Sequence, residues 1–576
     1  MESFVDADPA LGPLLDRLLG ADDRARLTPP LEELGRLAAG ELDALAATAD
    51  ANPPQLRRYS PEGERIDEVE FHPAYHRLAE VAFARFGLAA MSHRPGVLGW
   101  PTPVPHVVKY ALSYVYVQAE FGVACPLSMT DSAARVLRRY DPDGFADEIA
   151  ALTATEMDGL ATGAMFMTER QGGTDVGRTA TEAVDRGGHW ELTGRKWFAS
   201  NVSADLVLTL ARVPGQGEGT RGLGMFLVPR IRPDGTRNTY RIDRLKTKLG
   251  TRSMATGEVT LDGAYARPVG DLTRGFRQMA EMVNVSRLSN AMRAAALMRR
   301  AVNEATEHAR RRQVFDVVLF DQPLMRATLL PLVVDTEAAL GLVLECAARL
   351  DDADAGDDAA ARLIRVLTPL AKYTLCKHAR HVTGEAMEVR GGNGYIEDFV
   401  DPRLVRDSYL GSIWEGSSNV IALDVLRCLR RDAAHDHLVE VYRARLASLD
   451  RAVVGEVVDV LEDRWQRHHD RARALLAGPV EVQQVGVAAW ARAVSGTLMA
   501  TLLVEQAAAE AADTGKHRTL LVATSYLASL RGAPVPPTSA LRHLGEIVDG
   551  ADVPVGAARE AFDEAVRDTW SEDEHV

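Results

Sequence analysis

Residues 189–200 read HWELTGRKWFAS, and four runs of the same character follow: DLVLTLARV (205–213), GLGMFLVPR (222–230), TYRIDRLK (239–246) and GEVTLDGA (257–264). Each is short, rich in residues that suit a pleated surface, and bounded by turn formers. Asp234-Gly235 and Asp262-Gly263 are the dipeptides that tight hairpins use. No helical pattern of about 10–15 residues separates these runs, which disfavours a parallel βαβ sheet. Residues 163–270 therefore read as a compact antiparallel β-barrel or sandwich.

On either side the pattern is helical. VEFHPAYHRLAEVAFARFGLAA (69–90) and HVVKYALSYVYVQAEFGVA (106–124) carry apolar residues at helical spacing, and RPGVLGWPTPVP (94–105) breaks the chain between them. The turn-rich NPPQLRRYSPEG (52–63) sets off a leading arm. Beyond the strands, RLSNAMRAAALMRRAVNEATEHARRR (287–312) reads as one long amphipathic helix. DDADAGDDA (351–359) reads as a solvated inter-helix loop, RGAPVPPTS (531–539) as a second breaker, and SEDEHV (571–576) as an acidic disordered tail. The expected divisions are a helical arm (1–50), a helical domain (51–162), the β-module (163–270), a helical bundle (271–435) and an additional helical domain (436–576). The fold class is mainly α around a central β-module.

The whole chain has 576 residues, 46% hydrophobic and 26% charged, as ordinary globular chains do. Its 66 Lys and Arg against 81 Asp and Glu give a net charge of −15, which argues against bulk nucleic-acid binding. Cys125, Cys346, Cys376 and Cys428 form no CxxC pair and no metal-like spacing, so no metal centre and a reducing, cytoplasmic setting are expected. The N-terminal MESFVDADPALGPLLDRLLG lacks the basic start and apolar run of a signal peptide, and no stretch of about 20 apolar residues suggests membrane insertion.

Four constellations could carry chemistry. MTERQGGTDV (167–176) stands where helices give way to strands. Its paired glycines admit close approach of a flat or anionic ligand, and its threonines offer donors, though the same run suits an ordinary turn. KWFASN (196–201) ends a strand with two aromatics, a hydroxyl and an amide, which can stack a flat ring and bond its edge. One of Trp197 and Phe198 is expected in the module core, because strand residues alternate between faces. EVRGGNGY (388–395) is a helix end and tight turn whose glycines also let a cofactor or neighbouring chain pass. It lacks the strand–GxGxxG–helix setting of a nicotinamide site.

The fourth, IWEGSSN (413–419), precedes the helix VIALDVLRCLRR. Ser417, Ser418 and Asn419 suit the cap and first turn of that helix. Glu415 has no such role. A carboxylate in an apolar setting between Trp414 and Gly416 has a raised pKa and suits proton abstraction; a solvated loop glutamate is the competing reading.

Taken in this order around one β-module, these motifs resemble the acyl-CoA dehydrogenase family over about residues 52–435. The finer pattern is similar to its alkylation-response (AidB-like) branch. It is carried by NPPQLRRYSPEGERIDEVEFHPAYH (52–76), MTERQGGTDV, GRKWFAS (194–200), RLKTKLGTRSMATGEV (244–259), RRQVF (311–315), RGGNGY (390–395) and IWEGSSNVIALDVLR (413–427). A helical domain beyond 436 fits that branch.

The resemblance implies non-covalent FAD. Met167, Thr168, Gly173 and Thr174 would meet the flavin ring and phosphates, with Phe198 and Ser200 against the isoalloxazine. Arg312, Phe315, Gln322, Gly391 and Gly392 would come from a neighbouring subunit, making the assembly a homotetramer, and Ser417 and Asn419 would also touch FAD. The implied reaction is α,β-dehydrogenation of an acyl-CoA or related thioester, with an electron acceptor to reoxidise the flavin. Glu415 is the implied base, because the family's alternative position falls at Ser286; Arg287 matches a family arginine near the site, or forms a helix–helix ion pair. Asp316 and Val317 replace the usual Gly and Lys of that segment, and Glu388 stands where Gln is common.

The same branch is associated with DNA, which makes a DNA-associated flavoprotein with vestigial catalysis the alternative. Residues 436–576 hold 14 Lys and Arg against 22 Asp and Glu, a net of −8, so DNA is disfavoured. The one basic run, RWQRHHDRAR (464–473), reads as a solvated helix face.

Overall fold

In the computed structural model, residues 1–533 and 535–564 are described, so the acidic 571–576 end lies outside them. The chain divides into two compact units, Leu37–Ser289 and Met1–Arg36 with the residues from Asn290 onward.

The Leu37–Ser289 unit contains a two-stranded hairpin, β1 (Gln55–Tyr59) and β2 (Arg65–Glu70), where only a turn was expected. Its turn is closed by Ser60 and Gly63, and Leu56 and Val69 face the β-module, so alternation within a short run suffices to make strands. The module itself holds β3 (Gly163–Phe166), β4 (Glu182–Asp185), β5 (Trp190–Ser200), β6 (Leu206–Arg212), β7 (Leu223–Pro229), β8 (Tyr240–Leu245) and β9 (Thr256–Pro268). Pairing runs β6-β4-β5-β9-β7 and returns from β7 to β6, so five strands close on themselves; β3 adds to β6 and β8 to β9. Closure leaves no open edge among the five.

The sheet is mixed rather than wholly antiparallel. β3 runs parallel to β6, with Gly163 opposite Leu206, and β4 meets β6 through one parallel bridge, Glu182 to Arg212. The long excursion through β4 and β5 lets the chain re-enter beside β3 in the same direction, which a short hairpin cannot do. Phe166, Leu192, Val207, Phe226, Ile242 and Val259 fill the interior. Helix Ala124–Tyr140 stands against the module at β3, where the Gly163 N–H donates to the Thr130 hydroxyl at 2.9 Å, and helix His106–Ala119 precedes it in the chain. His106–Ala119 is apolar nearly all round and correspondingly buried. Its Lys109 pairs with Asp131 of the second helix at 3.0 Å, and His93 meets the same carboxylate at 2.7 Å.

In the other unit long helices dominate: Pro323–Asp354, Asp358–Val389, Arg451–Ala477 and Val480–Thr514. The 351–359 run is not a loop. One helix continues to Asp354, and Asp357 caps the next by accepting from the Ala359 and Ala360 N–H groups, leaving a three-residue link. Pro323–Asp354 and Val480–Thr514 each contain an 18-residue window apolar enough to cross a membrane, contrary to expectation, but 78% of each window is buried as core. A buried ion network joins distant segments: Arg445 reaches Glu345 at 2.5 Å and Glu505 at 2.8 Å, while Tyr442 stacks on Trp465 with centroids 5.4 Å apart. The four cysteines are buried and form no disulfide among the described residues.

Candidate active site

The first two motifs are tied together inside the β-module. Glu169, 2% exposed, accepts from Lys196 Nζ at 2.8 Å, the Thr181 hydroxyl at 2.5 Å and the Ala180 N–H at 2.7 Å. These donors, above all the Lys196 cation, outweigh the burial that opposes ionisation and hold the Glu169 carboxyl below its usual range. Lys196 also donates to the Leu210 carbonyl at 3.0 Å, and the Trp197 N–H bonds the Thr168 carbonyl at 2.8 Å. MTERQGGTDV is thus clamped to the end of β5. Neither Glu169 nor Lys196 was singled out from sequence. The signal existed: Lys196 shares the inward parity of Leu192, and a lysine there requires a buried carboxylate.

Neither aromatic of KWFASN enters the core. The register between β5 and β9 slips between Lys196 and Ala199, and this bulge takes Trp197 to a half-buried position and leaves Phe198 52% exposed. Lys246 Nζ stands 3.8 Å from the Trp197 ring centroid and 4.6 Å from that of Phe198. Ser200 Oγ lies 3.5 Å from Thr256 Oγ1. Met167 and Thr168 are half-buried; Gly173 and Thr174 are exposed. The Thr168 and Thr174 hydroxyls make no hydrogen bond among the described residues. In the same unit, Arg287 is half-buried and donates to Asn284 Oδ1 at 3.4 Å, while Ser286 is buried.

In the other unit, the RRQVF and RGGNGY segments converge. Gln313–Val314 (β10) and Val317–Val318 (β11) form a hairpin whose central residues, Phe315 and Asp316, both have positive φ, 51° and 61°. That is the two-residue turn in which glycine is favoured, and Asp316 meets the requirement in its place. Phe315 is 90% exposed, and Gln322 donates to the Val314 carbonyl at 3.3 Å. Arg312 and Arg390 both act on His308, whose imidazole is held below its ordinary pKa first by burial and then by these two cations. Gly391 has φ 64°, and a Cβ on Gly391 or Gly392 would meet open space. Glu388 is exposed.

Glu415 lies in the loop between helices Asp401–Gly411 and Ser418–Asp432, half-buried, with φ 55° followed by Gly416 at 100°. A non-glycine residue in this region costs roughly 1–2 kcal/mol and persists only where its surroundings fix it. They do so here: Lys372 donates to the Gly416 carbonyl, and the Arg293 guanidinium covers Trp414 at 4.7 Å. Ser417 is the N-cap of the following helix, yet its side chain makes no cap bond. Ser417 and Ser418 thus take the cap and first-turn positions read from the sequence, without a capping bond from the Ser417 hydroxyl, and Asn419 is exposed in the first turn. Lys372 and Arg293 carried no signal in local sequence. His435, Asp436 and His469 also come together, His469 Nε2 lying 2.7 Å from Asp436 Oδ1.

Three family models match in succession: the AidB adaptive-response N-terminal domain over residues 2–159, the acyl-CoA dehydrogenase middle domain over 164–264, and its C-terminal domain over 273–429. The chain belongs to the acyl-CoA dehydrogenase family of oxidoreductases, in its AidB-like branch. AidB of Escherichia coli K12 is 38% identical over 441 residues, which is 73% of this chain and 78% of that one. The crystal structure of Caenorhabditis elegans ACDH-11 in complex with C11-CoA superposes with a TM-score of 0.81 at 27% identity, covering 98% of this chain and 95% of that one. A Bacillus anthracis acyl-CoA dehydrogenase complexed with FAD shares the fold, with a TM-score of 0.72 at 16% identity over 96% of this chain and 95% of that one.

Proposed function

We propose that this chain is an FAD-dependent dehydrogenase that introduces an α,β double bond into an acyl-CoA or related acyl thioester. The observation that carries the reading is the left-handed backbone of Glu415, held by Lys372 and Arg293, since strain of this kind collects where a side chain must be aimed. The residues suit the cofactor. Phe198 offers an open aromatic face, Thr168 and Thr174 keep hydroxyls for a ligand, the Ser417 hydroxyl is not used as a cap, and nothing fills the space over Gly391 and Gly392. When bound, FAD supplies the hydride acceptor.

Glu415 removes the α-proton and holds it on its carboxylate, and Arg287 orients the substrate. Met167, Gly173 and Ser200 complete the flavin contacts, and Arg312 and Gln322 bind its phosphate portion with Phe315 beside them. Asn419 donates from the first helical turn, where unpaired N–H groups favour an anion. We read the assembly as a homotetramer in a reducing, cytoplasmic setting that passes electrons to a separate acceptor; the exposed Phe315 and Tyr395 beside Arg312 and Gly391 support a subunit contact there. DNA association is not part of this reading, given the acidic balance beyond residue 436.

The test is anaerobic mixing of FAD-loaded protein with acyl-CoA thioesters, beginning with C11-CoA. At least one should bleach the visible flavin band. A flavin that stays oxidised across the series overturns the proposal.

A further inference from the structure

The basic run at 464–473 is a solvated face only in part. In helix Arg451–Ala477, Trp465 and His468 are buried and His469 is half-buried. His469 meets the start of the preceding helix, Ala434–Ala447, where His435 and Asp436 stand in the first turn. Ala433, left-handed at φ 46°, reverses the chain just before them, and His437 ties the same turn to the Ala359 carbonyl at 3.0 Å through Nε2.

Two of these groups account for each other. His469 Nε2 lies 2.7 Å from Asp436 Oδ1, and Asp470 Oδ1 stands 3.7 Å from His469 Nδ1. His435 has no such account. It is 7% exposed, yet its side chain makes no hydrogen bond among the described residues. Its Nδ1 is buried without a partner, and its Nε2 stands 3.6 Å from Asp436 Oδ1, beyond hydrogen-bond reach. A buried polar group left in this way calls for an explanation, and an ion is one of the few available. The His435 and His469 rings are 5.7 Å apart between centroids, and one ligand atom from each of the three residues lies within 4.8 Å of the other two.

We propose that His435, Asp436 and His469 bind one zinc-class divalent ion, each imidazole through Nε2 and the aspartate through a carboxylate oxygen, with the fourth position left to water. Nitrogen and oxygen ligands about 2.0–2.2 Å from a tetrahedral ion stand roughly 3.3–3.6 Å from one another. The His435–Asp436 separation already has that value. The His469–Asp436 contact reaches it by opening less than about 1 Å, which the exposed Asp436 side chain allows. Two imidazoles and one carboxylate suit zinc better than magnesium or calcium, which take oxygen donors. The ligands also favour their binding forms. Burial holds His435 below the ordinary imidazole pKa, and the hydrogen bond from His469 holds Asp436 below the usual carboxylate range. Arg473, exposed one turn beyond His469, opposes the ion, and the Asp470 carboxylate beside His469 offsets it. The expectation of no metal centre came from cysteine spacing, whereas these ligands are gathered from two helices. The site uses none of the residues assigned to FAD or substrate, so its failure leaves the dehydrogenase reading intact.

The test is equilibrium dialysis of chelator-stripped, FAD-loaded protein against zinc, with the bound metal counted by emission spectrometry. The chain should hold one equivalent. Asp436→Asn and His469→Gln, changes at an exposed and a half-buried position, should each weaken binding by at least about tenfold. His381→Ala, which removes an exposed histidine beside Glu385 on helix Asp358–Val389, should leave it unchanged. X-ray absorption of the bound zinc should count two imidazoles with oxygen donors, which tests His435 without replacing a buried side chain. No binding, binding that survives both ligand variants, or an equal loss in His381→Ala overturns the proposal. A zinc shell with fewer than two imidazoles overturns it as well.

Discussion

Lys196 Nζ lies 2.8 Å from Glu169 Oε1, with both side chains withdrawn from solvent inside the β-module. Removing one partner strands a buried charge, at a cost of about 3–5 kcal/mol, whereas removing both restores neutrality. Glu169→Gln and Lys196→Met should each lower the denaturant midpoint sharply and release flavin, since the pair positions Thr168 against Trp197. The double variant should recover much of the stability. Additive losses in the double variant would show that the two groups do not act as a pair.

Glu415→Gln keeps shape and hydrogen-bonding capacity but cannot accept the α-proton. Flavin content should survive, while reduction by the best thioester falls by about 10²–10⁴-fold, the span of a lost general base. Rapid-mixing absorbance under anaerobic conditions reads this directly. Unchanged reduction would remove Glu415 from the chemistry.

Arg312→Ala removes a guanidinium from the exposed end of the helix that carries His308. A charge-assisted contact to a phosphate contributes about 1.5–3 kcal/mol, so FAD should bind roughly 10–150-fold more weakly. Fluorescence of released flavin during dilution measures it, and sedimentation shows whether the assembly weakens in parallel. Full retention of FAD by a monomer would contradict the shared-site reading.

His468 gives the fold a pH dependence of known sign. Its pKa is about 3 when folded against 6.5 as the ordinary value, so the unfolded chain binds the extra proton between these limits. The stability contributed by keeping it neutral is complete above pH 6.5 and is lost as pH falls towards 3, with a slope approaching about 1.4 kcal/mol per pH unit. His468→Gln should flatten that slope in urea unfolding series while leaving stability at pH 8 less affected. Asp131 and Glu169, both held below their usual pKa in the fold, act in the same direction only in the lower, carboxylate range.

What sequence determined was whatever a few adjacent residues decide. Alternation and the Asp234-Gly235 turn marked strands between Trp190 and Pro268, Gly391 marked a left-handed helix end, and the WEGSS loop isolated Glu415 between two helices. These depend on local backbone preference, which is written in consecutive positions. Asp262-Gly263, expected as a second hairpin turn, is instead a bulge inside β9, where the register against β5 slips and Gly263 takes φ 64°. Tertiary structure decided what depends on convergence. The parallel pairing of β3 with β6 follows from closing the sheet, and the bulge that turns Phe198 outward follows from β5 slipping against β9. Lys196 finds Glu169 across 27 positions. Arg464, Arg492 and Arg531, unremarkable apart in an acidic stretch of the chain, line one cavity only because three helices bring their ends and faces together. Electrostatic and packing energies fall off over a few ångströms of space rather than along the chain, so no local pattern announces them.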